Sequence, residues 1–133
     1  MKNSETNARN WLLQAENDLS FARVAIREEF FAQACFVSQQ VAEKALKALA
    51  YYRGDRFPTG HSLVELLSRL EPSYPQLSRY VRVAGILDQY YVPTRYPNAL
   101  PGSVPFMVYG EEQAQAAVES AAQIVEEARA VIT

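Results

Sequence analysis

The chain has 133 residues, 49% hydrophobic and 21% charged, which fits one soluble globular domain over residues 1–133. Its net charge of -2 excludes a strongly basic field for duplex nucleic acid but leaves room for a local contact, and its single cysteine, Cys35, excludes an internal disulfide and a cysteine-rich zinc site. No long uncharged apolar run predicts a membrane span, and the opening MKNSETNARN is too polar for a signal peptide, so a cytoplasmic protein is expected.

In chain order the elements are helical. Leu12, Ala15, Leu19, Ala22 and Ile26 recur at steps of three and four, one apolar stripe on a first helix that Ser4 or Thr6 is placed to cap. A second helix is predicted from about Phe31 to Tyr52. Phe31, Cys35, Ala42, Ala45 and Leu49 line one face and Val37, Val41 and Ala48 another, so this helix is expected at the centre of a bundle. GDRFPTG, residues 54–60, reads as a loop. HSLVELLSRL then carries Leu63, Leu66, Leu67 and Leu70 at helical spacing, with Ser62 or His61 near the cap. After Pro72 and Pro75 a further helix is predicted over roughly 76–91, with Leu77, Val81, Ala84 and Leu87 inward. The last begins near Glu111 and Glu112, whose charges suit a helix N-terminus, and its stripe is Ala114, Val118, Ala121, Val125, Ala128 and Ile132. No strand pattern appears. The fold class that follows is all-α, an up-and-down antiparallel bundle of four long helices plus one short helix.

Between the last two helices lies LDQYYVPTRYPNALP, residues 87–101, where four of the seven prolines fall between 93 and 105. A connection of this length in a small bundle is functional or disordered, and the embedded aromatics predict an ordered loop, docked by Tyr91 and Tyr96. Arg95 has the planar fork that bonds phosphate oxygens in pairs, and Tyr90, Tyr91 and Tyr96 offer faces on which a base stacks. The competing structural reading pairs Arg95 with Asp88 in a salt bridge and makes the tyrosines packing residues.

On the second helix, Glu43 and Lys47 are four apart in the favourable order for a surface ion pair, which reads as a solvated stripe. Gln39, Gln40 and Lys44 extend that polar surface and are candidates to bind an anion or a partner. His61 is the only histidine, more readily a cap or dock for a helix start than a ligand. With no His or Cys cluster, no glycine-rich phosphate loop and no carboxylate pair of marked spacing, neither a metal site nor a cofactor is expected.

Four segments together resemble the small prokaryotic HEPN-domain proteins: WLLQAENDLSFA (11–22), ACFVSQQVAEKALKAL (34–49), GHSLVELL (60–67) and LDQYYVPTRYPNALP. Their order and spacing cover almost the whole chain. The resemblance implies an up-and-down helical bundle that forms homodimers. It also implies nucleotide or RNA association, and pairing with a small nucleotidyltransferase in toxin–antitoxin-like modules. Ribonucleases of the superfamily carry an arginine followed, after four to six residues, by a histidine. Arg95 matches that arginine, but no histidine follows it, and Asn98 is a polar neighbour without the same chemistry. The reading is therefore a binding module without robust catalysis, whose site draws on Arg95, Tyr90, Tyr91, Tyr96, Asp88, Gln40, Lys44 and Lys47. The alternatives are a metal-independent ribonuclease using Arg95 and a recruited His61, and a purely structural helical dimer.

Overall fold

A computed structural model of the chain describes residues 2–133. Its α-helices are α1 (Lys2–Arg27), α2 (Phe31–Tyr52), α3 (Leu63–Leu70), α4 (Val81–Asp88), α5 (Pro105–Val108) and α6 (Glu111–Val131), with 3-10 turns at Pro75–Tyr80 and Pro97–Ala99. Among the described residues there is no strand. The fold is the expected all-α bundle.

Contacts between the ends fix the directions. Trp11 meets Tyr51 at 5.8 Å between ring centroids, so the start of α1 lies beside the end of α2 and the two run antiparallel. Arg9 reaches the Thr133 carbonyl at 2.8 Å, and Arg129 reaches Glu16 at 2.8 Å, so α6 is antiparallel to α1 as well. The Tyr80 hydroxyl donates to Glu127 at 2.8 Å, which puts the start of α4 at the far end of α6. The up-and-down order is thus α1, α2, the Pro75–Asp88 segment and α6. The short α3 lies alongside α2, running the same way: its start is tied to Gln39 through the His61 carbonyl at 2.8 Å, and its end to Arg53 through the Arg69 carbonyl at 2.7 Å.

The third bundle helix shows how local chemistry shapes the element. Its stretch from Pro75 to Tyr80 is wound as 3-10 and only Val81–Asp88 is α-helical. Pro75 at the first position presets φ but has no N–H to donate.

The helix stripes bury as their spacing requires, except that Val81, expected inward, is 45% exposed at the point where the 3-10 turn passes into α4. Leu12, Ala15, Leu19 and Ala22 of α1 and all six stripe residues of α6 are buried, and Ile26 packs against them half-buried. Alanines 42, 45 and 48 of α2, and 114, 121 and 128 of α6, have no exposed surface, so the backbones approach closely. Leu46, Leu49, Leu67, Leu87 and Ile124 fill the interior, and each fully buried aliphatic side chain stabilises by about 1.5–3 kcal/mol. The helix α2 touches α1, α3, α4, α5 and α6, the central position that its two apolar faces predict.

Two helices end the same way. After α2, the Gly54 and Asp55 amides donate to Tyr51 and Ala50, with Gly54 at φ 110. After α1, the Glu29 and Phe30 amides donate to Ile26 and Ala25 in the same pattern, but the left-handed position is Glu29 at φ 65.

Candidate functional site

The site forms where the loop after α4 meets α2 and the start of α3. The first component is the α3 N-terminus. Ser62 is its N-cap and accepts from the Glu65 amide at 3.2 Å. The Asp88 carboxylate accepts from the amides of Leu63 (2.8 Å) and Val64 (3.2 Å) and from the Ser62 hydroxyl (3.1 Å). A carboxylate at a helix N-terminus satisfies orphan donors and meets the positive end of the dipole. Asp88 is therefore occupied with α3. It forms no ion pair with Arg95, which corrects the salt bridge that the structural reading predicted. The pull of the α3 amides outweighs a residue seven places along the same chain.

Arg95 sits instead in an aromatic cradle. Its guanidinium carbon lies 4.4 Å from the Phe36 ring centroid, 4.7 Å from Tyr91 and 5.0 Å from Tyr96. Its Nε donates to the Tyr91 carbonyl at 2.8 Å. The two terminal nitrogens have no partner among the described residues, and the side chain is exposed. Rings on several sides hold the guanidinium by cation–π attraction and leave the amino edge open. Phe36 was not singled out from the sequence. The signal is nonetheless present: Phe36, Gln40, Glu43 and Lys47 are spaced four, three and four, along one face of α2.

His61 adjoins this cradle. Its ring stacks on Tyr91 with centroids 4.8 Å apart and planes at 22°. Nδ1 lies 3.2 Å from a Glu43 carboxylate oxygen. Glu43 also receives Lys47 at 2.9 Å and Gln40 at 3.4 Å. Glu43 and Lys47 do form the expected pair, but both side chains are more than nine-tenths buried, with the Lys47 ammonium 5.8 Å from the Trp11 ring centroid. This corrects the solvated stripe: α2 is enclosed on this face by Trp11 of α1 and by the loop before α3. Gln39, expected on the same surface, is fully buried and holds the His61 carbonyl.

The remaining candidates divide. His61 and Gln40 meet at Glu43, and Tyr91 joins His61 to the cradle that holds Arg95 with Tyr96. Lys44 lies apart, paired with Asp18 of α1. Lys47 is beneath the site and faces Trp11. Tyr90 points the other way, 8% exposed, with its ring edge-on to Tyr109 at 5.8 Å. The loop packs on the bundle with the expected docking in part: Tyr90 and the buried Thr94, which donates to the Tyr90 carbonyl, anchor it, Tyr91 is half-buried, and Tyr96 is 51% exposed. Burial raises the Tyr90 phenol above its ordinary range, as does the neighbouring Cys35. Among the described residues no group of His, Cys, Asp and Glu is placed to hold a metal ion, and no helix is long and apolar enough to cross a membrane.

The family model of the HEPN domain matches residues 8–131. No curated protein matches. Among solved structures, the chain is similar to TT1696 from Thermus thermophilus at 37% identity, covering 92% of this chain and 96% of that one with a TM-score of 0.88. It is similar to ST0689, described as an archaeal HEPN homologue, at 34% identity, covering 96% and 98% with a TM-score of 0.79. A HEPN domain protein from Thermotoga maritima, tm0613, matches at 28% identity over 92% and 97%, with a TM-score of 0.72. A family match over nearly the whole chain, together with relatives of more than 30% identity that are covered almost end to end, leads to one conclusion: this chain belongs to the HEPN domain family.

Proposed function

We propose that the chain is a phosphate-recognising binding module that takes a nucleotide or RNA at Arg95, without robust catalysis. The observation that carries this is the guanidinium of Arg95, fixed among Phe36, Tyr91 and Tyr96 while its terminal nitrogens stay open. A cation already held in place loses little freedom on binding, and its fork matches two phosphate oxygens. The rings of Phe36 and Tyr91 are taken up by Arg95 and His61, so base stacking falls mainly to the exposed Tyr96. Recognition then rests on phosphate more than on base identity. Family membership supports a homodimer working beside a small nucleotidyltransferase in a toxin–antitoxin-like system, and sedimentation at micromolar concentration checks the dimer.

The second reading is a metal-independent ribonuclease. It is favoured by the Glu43–His61 contact, which resembles the carboxylate–imidazole pairs of general acid–base sites. The test is RNA binding and cleavage by the native protein, Arg95→Ala and His61→Ala. The expected result is binding of a single-stranded oligoribonucleotide that falls roughly tenfold or more in Arg95→Ala, as loss of a charged hydrogen bond entails, with folding intact and no cleavage by any form. Cleavage by the native protein that disappears in both variants establishes the ribonuclease instead.

A further inference from the structure

The imidazole of His61 is held by two neighbours but is not needed to build the fold around it. Ser62 and Asp88 already cap α3, and Gln39 already fixes the His61 carbonyl. What the side chain does instead is stack on Tyr91, the ring that the Arg95 guanidinium also contacts, with one ring nitrogen left open. Nδ1 lies 3.2 and 3.3 Å from the two Glu43 oxygens. A carboxylate only accepts hydrogen bonds, so Nδ1 carries the proton and Nε2 is the open nitrogen. Nε2 has no partner among the described residues. The His61 side chain is 59% exposed while that of Glu43 is 7% exposed. The ring stacks on Tyr91, the same residue that lies under the Arg95 guanidinium.

We propose that His61 is a second anion contact of the Arg95 site and that Glu43 is its positioning residue, fixing the ring so that Nε2 faces a bound phosphate. The proposal rests on the reading of Arg95 as a phosphate contact. Uptake of one proton at Nε2 turns it into a donor to a phosphate oxygen. The buried Glu43 carboxylate balances the charge gained. The charged and titratable groups around the ring are Glu43 and Lys47 from α2, Asp88 at the α3 cap, and Tyr91 and Arg95 from the loop. Phosphate binding is then coupled to proton uptake and is expected to tighten as pH falls from about 8 to about 5. Carboxylate partners that fix an imidazole's tautomer and orientation are a general device for setting which nitrogen works.

The test has one arm without ligand and one with it. Nitrogen NMR of the native imidazole is expected to show the Nδ1–H tautomer in the neutral form, shifting toward Nε2–H in Glu43→Gln. The ligand is the deoxy dinucleotide d(ApA), whose single phosphodiester keeps its charge across this pH range and has no 2′-hydroxyl to cleave. Native protein is expected to bind it several-fold more tightly at the acid end. That dependence is expected to flatten in the double variant Glu43→Gln/Lys47→Met, which avoids leaving a buried lysine unpaired. It is expected to flatten also in His61→Gln, an exposed position that keeps the test open if the α2 variant does not fold. An Nε2–H native tautomer, or an unchanged pH dependence in His61→Gln, overturns the proposal. Binding that Arg95→Ala leaves intact overturns the underlying phosphate reading instead, and the NMR arm tells the two failures apart.

Discussion

Lys47 donates to Glu43 across 2.9 Å in a place where neither side chain reaches solvent freely. The pair is an i, i+4 contact by sequence, which on an open helix contributes only about 0.2–0.5 kcal/mol. Burial changes its character, because both charges have left water and each depends on the other, Lys47 also on the Trp11 ring and Glu43 also on Gln40 and His61.

Removing one partner therefore costs more than removing both. Glu43→Gln and Lys47→Met alone are each expected to destabilise by about 3–5 kcal/mol, the range for a buried charge left without its partner. The double variant is expected to recover most of that loss. Urea unfolding of the four proteins closes the cycle, and additive single losses would place the pair in solvent.

Tyr90 and Tyr96 are expected to behave differently. Tyr90→Ala opens a cavity against Tyr109 and is expected to cost about 3–5 kcal/mol, as large aromatic truncations do. Tyr96→Ala, half exposed, is expected to stay within about 0.5 kcal/mol of native, the usual bound for surface changes. Thermal unfolding of the two variants decides it. Equal losses would mean that the loop is docked by both rings.

Glu29 stands in the left-handed region at the end of α1, where α2 uses Gly54. A non-glycine residue there carries a steric cost of about 1–2 kcal/mol, partly offset by the entropy glycine loses on folding. Glu29→Gly is expected to raise stability by roughly 0.5–1 kcal/mol on that balance. A lower unfolding midpoint in the variant would count against the turn geometry.

Burial raises the Cys35 thiol from 9.0 to about 12, and it moves the Tyr90 and Tyr109 phenols up as well. The folded chain thus holds these protons more tightly than the unfolded one. Their contribution to stability is complete below about pH 9 for the thiol and is lost as pH climbs toward 12. Stability measured by urea is expected to fall over that window, and Cys35→Ala is expected to flatten part of the slope. A thiol reagent is expected to label Cys35 only at the rate at which the chain opens.

Most of the fold was legible because helical spacing is local. The α6 stripe from Ala114 to Ile132 and the α2 faces both follow from the period alone. The site was less legible because it depends on where the chain returns. Glu43 and His61 are brought together by the segment from Arg53 to Ser62, whose course is held by contacts to its backbone such as that of the Arg69 guanidinium to the Thr59 carbonyl at 2.7 Å. Nothing in residue spacing encodes that path. Asp88 illustrates the same limit, since its partners are the amides of α3, about 25 residues earlier in the chain. Tyr90 and Tyr91 differ in role because successive residues at a helix end face different sides, a distinction that depends on where α4 stops.

The central claim is that Arg95 recognises phosphate. Calorimetric titration at constant pH with adenosine monophosphate and with adenosine, on native protein and on Arg95→Ala, tests it most directly. The account predicts that the monophosphate binds the native protein, that adenosine binds far more weakly, and that Arg95→Ala loses the difference while unfolding at the native temperature. Equal binding of adenosine and its monophosphate, or a difference that survives in Arg95→Ala, would contradict it.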